Sequence, residues 1–141
     1  MLEKGREMGK PFVSIVLPAY NEEEAIGKVI EDIQNALRGA SVSYEALVVD
    51  DQSADRTAEI AAAKGARVVR RPIRGGSGAA RRTGIMEAQG EIIVMLDADG
   101  SYDAGDIPRL LSFFPSTTRS TALGRAKKAT SNFSEHLPSG L

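Results

Sequence analysis

Two carboxylates one residue apart, Asp97 and Asp99, follow the apolar run Ile92-Ile93-Val94-Met95-Leu96 and precede Gly100. The run reads as a buried strand, so the carboxylates emerge at its C-terminal edge. In a parallel α/β sheet that edge is where ligands and metals sit. Paired Asp oxygens beside a glycine that permits close approach suit a hard divalent cation. A cation held there would neutralise a diphosphate, the chemistry of an enzyme that handles nucleotide-activated substrates. An Asp-x-Asp alone is common and is often only a turn. The weight here comes from its position, at the end of the most hydrophobic strand-like run in the chain.

Two further strand ends carry polar groups. Pro18-Ala19-Tyr20-Asn21-Glu22 follows Phe12-Val13-Ser14-Ile15-Val16-Leu17. By residue type it is first a strand-to-helix turn with a capping Asn. Functionally, Tyr20 offers a flat face to a base and Glu22 a hydrogen-bond partner. Asp50-Asp51 closes a second apolar run that starts at Tyr44. One Asp is explained by helix capping, and the other is free to accept a hydrogen bond from a base or ribose. The loop Arg74-Gly75-Gly76-Ser77-Gly78 lacks the Lys-Ser/Thr of a P-loop and the full spacing of a dinucleotide fingerprint. A glycine-rich turn opening a helix still presents N–H groups to an anion. Arg70, Arg71, Arg74, Arg81 and Arg82 add charge around it, and the bland alternative is a mobile loop with solvated arginines. His136, the only histidine, reads as solvated, and Met86 and Met95 read as core.

The elements that must position these residues alternate. Pro18 is expected to stop the first strand, and Asn21 to cap a helix whose apolar face is Ile26, Val29, Ile30, Ile33 and Leu37. A strand over 44–49 leads to a helix capped by Ser53 or Asp55, running through Ala63 and stopped by Gly65. Arg67–Arg70 is a short strand, 79–88 a helix, 92–97 a strand, and 106–114 a last helix. Strand and helix alternate four times with short links, so the fold class is α/β, a mostly parallel sheet flanked by helices.

The 141 residues are 42% hydrophobic and 26% charged, enough for one domain with a sizeable core. A net charge of −1 gives no global reason to expect nucleic acid or membrane as partner. Cysteine is absent, which removes disulfides and thiolate metal or redox chemistry. No apolar stretch is long enough for a signal peptide or a bilayer span, so the expected location is cytoplasmic. Residues 1–11 read as a solvated leader and 12–114 as the domain. From Pro115 to Leu141 the chain turns basic and Ser/Thr-rich with no helical or strand period, and is expected to be poorly ordered.

Taken together, the three strand ends resemble family 2 glycosyltransferases of the GT-A (Rossmann-like) fold, closest to the polyprenyl- and dolichyl-phosphate sugar synthases. The stretches that carry the resemblance are 13–22, 48–57 and 90–100, with Gln52 standing where the family usually has Gly. The resemblance implies a UDP- or GDP-linked sugar as donor. Pro18, Tyr20, Glu22, Val49 and Asp51 would line the base and ribose. Arg74, Gly76 and Gly78 would flank the diphosphate, and Asp97 and Asp99, with Ala98 between them, would hold Mg²⁺ or Mn²⁺. The sugar would pass with inversion to a polyprenyl phosphate at the cytoplasmic membrane face, or to another acceptor. The base that activates the acceptor would lie in a second half, so no catalytic residue is assigned.

Family members continue well past the point where this chain ends. The expectation is therefore a domain cut short after the metal-binding strand, by shortening, a shifted reading frame or divergence. One alternative is a catalytically incomplete donor-binding or scaffold fragment, able to form homo-oligomers. Another comes from Asp97-Ala98-Asp99-Gly100-Ser101, which also resembles the nucleophile motif of haloacid-dehalogenase-type phosphatases. That motif normally opens its domain, whereas three strand–helix units precede it in this chain.

Overall fold

The structure is a computed structural model that describes residues 9–114 and the backbone of Lys128–Ala129. In chain order the elements are β1 (Val13–Ala19), α1 (Ile26–Leu37), β2 (Tyr44–Asp50), α2 (Thr57–Ala63), β3 (Arg67–Arg70), α3 (Ser77–Glu87), β4 (Ile92–Met95), α4 (Asp106–Leu111) and β5 (Lys128–Ala129). All the strand pairs are parallel, and the spatial order is β3-β2-β1-β4-β5. The order therefore reverses between β1 and β4, and the crevice beyond their C-terminal ends is the switch point where open α/β sheets bind ligands.

Alternation along β1 divides the core in two. Val13, Ile15 and Leu17 join Ile26, Ile30 and Ile33 of α1 and Ile107 and Leu110 of α4 on one face. Val16 points the other way, to Leu47, Val49, Ile93 and Met95 beneath Ala80 of α3. The expected apolar face of α1 is the buried one, residue for residue. On the second face α3 approaches closely through small residues. A Cβ on Gly84 would stand 2.4 Å from Val16 Cγ1 and 3.3 Å from Val49 Cγ2.

Three local expectations are corrected. Met86, expected in the core with Met95, is 77% exposed near the end of α3, while Met95 is buried. Pro18 does not stop β1, which continues through Ala19 with Pro18 opposite Val49. Val13 donates to Ser43 and Ala19 accepts from Asp51, so odd positions of β1 bond to β2. Val16 accepts from Leu96, so even positions face β4, whose last paired residue is Met95. The missing N–H of Pro18 thus falls beyond the end of β4, where a ladder bond is not lost. Nor does Asn21 cap α1, since a turn over 22–25 intervenes. Asn21 adopts φ +54° and turns its side chain to the neighbouring loop, where Oδ1 accepts the Ala54 N–H at 2.8 Å.

Asp55, by contrast, does serve the start of α2, where Oδ1 accepts the Thr57 N–H at 2.9 Å. Gly65, at φ +97°, ends that helix, and Ala66 N–H returns to the Ala61 carbonyl. At the other end of the sheet, buried Ser14 donates to Glu45 Oε2 at 2.6 Å and accepts the Gly90 N–H at 2.8 Å. Arg67 Nε reaches Glu45 Oε1 at 2.9 Å. Burial acts to raise the Glu45 pKa, but the bonds from Arg67, Ser14 and the Gln89 N–H outweigh it and hold the carboxyl below its ordinary 4.5.

β5 was not legible in the sequence; it pairs Lys128 with Ile93 and Ala129 with Val94. The expectations for residues 1–8 and for the rest of 115–141, including His136, lie outside the described residues. No helix among the described residues is long and apolar enough to cross a membrane.

Candidate functional site

Beyond β1 and β4 lies a cleft of about 240 Å³. Pro18, Tyr20 and Glu22 reach it from the end of β1, Asp51 from β2, Arg74 and Gly76 from the basic loop, and Asp97, Ala98 and Asp99 from β4. Two residues expected in it are not brought there. Val49 lies within β2, fully buried in the core under α3. Gly78 is exposed on the first turn of α3 and is not part of the lining.

The segment carrying Tyr20 and Glu22 is fastened to the loop after β2. Asn21 N–H donates to Ser53 Oγ at 2.8 Å, and Glu22 N–H to Thr57 Oγ1 at 2.8 Å. Both acceptors are buried. Burial raises the pKa of Glu22, and the charges of Asp99, Asp55 and Asp97 raise it further. Glu22 thus shares the cleft with the like charges of Asp97 and Asp99.

Asp51 anchors the basic loop. Its Oδ1 accepts Arg71 Nη1 at 2.9 Å and the Gly75 N–H at 3.0 Å, and its Oδ2 accepts the Gly76 N–H at 2.7 Å. Burial alone would raise its pKa, but these N–H donors and the Arg71 charge hold it below the ordinary 3.8. Gln52 Nε2 donates to the Arg71 carbonyl and fastens the same loop. Gln52 has φ +69°, which explains why glycine is usual at this position: a side chain there must accept a left-handed backbone. Held in this way, the loop carries the Arg74 guanidinium over Tyr20, 3.8 Å from the ring centroid. Asp50 takes no part in the cleft. It is fully buried and paired with Arg70 Nη1 at 2.9 Å.

On the β4 side, Asp99 Oδ1 accepts the Ser101 N–H at 2.9 Å, and the bonds from Ser101 lower its pKa. Asp97 lies 3.6 Å from Arg81 Nη2. Arg81 and Ser77, four residues apart on α3, both line the cleft. The sequence treated Arg81 only as one of several nearby charges and missed Ser77; an i, i+4 pair on a helix opening from that loop was the available signal. Among the described residues no group of three or more His, Asp or Glu could hold a metal ion. Asp97 and Asp99 nevertheless suit a cation that keeps water and takes phosphate oxygens, which needs only one or two carboxylates.

Known proteins share this chain's sequence pattern and fold. An uncharacterised glycosyltransferase of Mycobacterium bovis is 45% identical over 105 residues, 74% of this chain and 44% of its own. The dolichol-phosphate mannosyltransferase of Pyrococcus furiosus is 38% identical over 103 residues, 70% of this chain and 29% of its own. Glucosyl-3-phosphoglycerate synthase of Mycobacterium tuberculosis, solved with Mn²⁺, UDP and glucosyl-3-phosphoglycerate, superposes with a TM-score of 0.62 at 36% identity. That alignment covers 74% of this chain and 39% of the synthase. The chain thus spans less than half the length of each of these three proteins. The shared sheet and helices are those of the GT-A fold. The profile of glycosyl transferase family 2 matches residues 14–139, a span that includes Tyr20, Asp51 and Asp97-Ala98-Asp99. By sequence and by fold, this chain belongs to glycosyl transferase family 2.

Proposed function

We propose that the cleft binds a nucleoside-diphosphate sugar, UDP- or GDP-linked, together with Mg²⁺ or Mn²⁺. The chain would be the donor-binding part, residues 12–114, of an inverting glycosyltransferase acting on a polyprenyl phosphate or another acceptor. One observation carries this reading: the Asp97/Asp99 pair shares a single cleft with Tyr20, Glu22 and Asp51 at the β1/β4 switch point. The UDP and Mn²⁺ held by the mycobacterial synthase support the donor class, and the mannosyltransferase of Pyrococcus supports a lipid-phosphate acceptor. That acceptor would put the protein at the cytoplasmic face of a membrane.

The residues divide the work. Asp97 and Asp99 would hold the cation, which when bound supplies Lewis-acid stabilisation of the leaving diphosphate. Pro18 and Tyr20 wall the base side. Because Arg74 lies over the Tyr20 ring, the base would stack on the guanidinium plane rather than on the ring itself. Asp51 keeps the loop that carries Arg74 at the mouth of the cleft. No cleft residue is assigned as the base that activates the acceptor.

Thermal melts with UDP and with GDP, each with and without Mn²⁺, test the proposal. A ligand at a hundred times its Kd adds about 2.7 kcal/mol, a shift of several degrees for a domain of this size. A Mn²⁺-dependent shift with one nucleotide would support the donor site and identify its base. A cooperative melt moved by none of them would remove the proposal.

A further inference from the structure

We infer that Arg81 is a binding residue for the donor diphosphate, held in readiness by Asp97; this inference rests on the donor reading above. The arginines of the basic loop already have partners. Arg71 is bonded to Asp51, Arg70 to Asp50, and Arg74 is stacked on Tyr20. Arg81 differs. Its Nη2 stands 3.6 Å from Asp97 Oδ1, near enough for attraction between charges but too far for a hydrogen bond. Its Nε is shut off from solvent and has no hydrogen-bond partner among the described residues. Nε and Nη2 share one edge of the guanidinium, the edge that grips two phosphate oxygens at once.

The location is consistent with that use. Arg81 lines the cleft beside Asp97 and Asp99, the residues that would hold the cation. A diphosphate between them would meet a positive centre on either side, the cation on β4 and the guanidinium on α3. Asp97 orients Arg81 without occupying its N–H donors, so the guanidinium would be open to the phosphate with or without a cation on Asp97.

Titration calorimetry on the full chain tests this with UDP, GDP and uridine, in EDTA and in Mn²⁺, for the native protein, Arg81→Met and Arg81→Lys. Loss of a charge-assisted pair of bonds predicts a roughly ten-fold or greater weakening of the diphosphate in Arg81→Met, in EDTA as well as in Mn²⁺. Uridine, which has no phosphate, binds native protein and variant alike. Arg81→Lys falls between, because it keeps the charge and loses the fork. Unchanged diphosphate affinity in the variants overturns the inference, as does an equal loss for uridine, which would mark a structural role. If Arg81→Met does not fold by circular dichroism, Arg81→Lys decides on the same criteria. Native protein that binds neither UDP nor GDP overturns the donor reading and this inference with it. Native binding that the variants share overturns this inference alone.

Discussion

Asp51 Oδ2 accepts the Gly76 N–H at 2.7 Å, so the carboxylate just past β2 holds the glycine-rich turn from which α3 starts. The same carboxylate takes Gly75 N–H and Arg71, and all three bonds belong to the loop that carries Arg74 to Tyr20. Asp51 is first an anchor, and the shape of the cleft mouth depends on it.

Asp51→Asn removes the charge and turns one acceptor oxygen into a donor. A loop N–H and Arg71 lose their partner, which is expected to cost about 1–3 kcal/mol. The melting temperature should fall by several degrees, with a weaker shift on adding nucleotide. A variant with native stability would show that the loop is held by other contacts.

Acid should unfold the protein partly through Glu45. Its pKa is lower folded than unfolded, so between the two values the unfolded chain binds the proton first and acid favours unfolding. The stabilisation is complete above the ordinary value of 4.5 and is lost as pH falls towards the lower, folded value. Stability measured by urea titration from pH 7 to pH 3 should decline less steeply in Glu45→Gln than in the native protein.

Asp99→Ala should leave the fold intact, since among the described residues Asp99 bonds only to its own turn at Ser101. It should abolish the Mn²⁺-dependent part of nucleotide binding, read as the difference between melts with and without the metal. An undiminished metal effect would remove Asp99 from the proposed cation site.

Gln52 separates backbone strain from side-chain bonding. Gln52→Ala keeps the left-handed backbone and loses the bond to the Arg71 carbonyl. Gln52→Gly loses the bond but releases the strain, about 1–2 kcal/mol, against which the added freedom of its unfolded chain returns about 0.4–1 kcal/mol. Denaturation midpoints should therefore rank Gly above Ala, with Gly close to the native protein.

Gly84→Ala drives a methyl group to within 2.4 Å of Val16 Cγ1, on the face where α3 lies closest to the sheet. Overpacking of this kind costs about 1–3 kcal/mol. The effect should appear as a lower melting temperature and, because α3 carries Arg81 into the cleft, as weaker nucleotide binding.

The alternation of strands and helices, the buried face of α1 and the family are readable from residue order alone. Those follow from local signals: apolar spacing, turn residues, and acidic residues just past apolar runs. Residue order also brought Tyr20, Asp51 and Asp97/Asp99 to one edge, because parallel strands joined by short links must end on the same side. Which of these groups are already engaged is visible only in three dimensions. That Asp51 is bonded to Gly75 and Gly76, that Arg74 covers Tyr20, that Arg81 stands by Asp97 and that Val49 stays in the core are distances between residues far apart in the chain. β1 continues through Pro18 because β4 has already ended beside it, and β5 exists only through its pairing with β4. Such facts depend on how neighbouring elements are aligned and how closely they approach, and local periodicity carries no information about either.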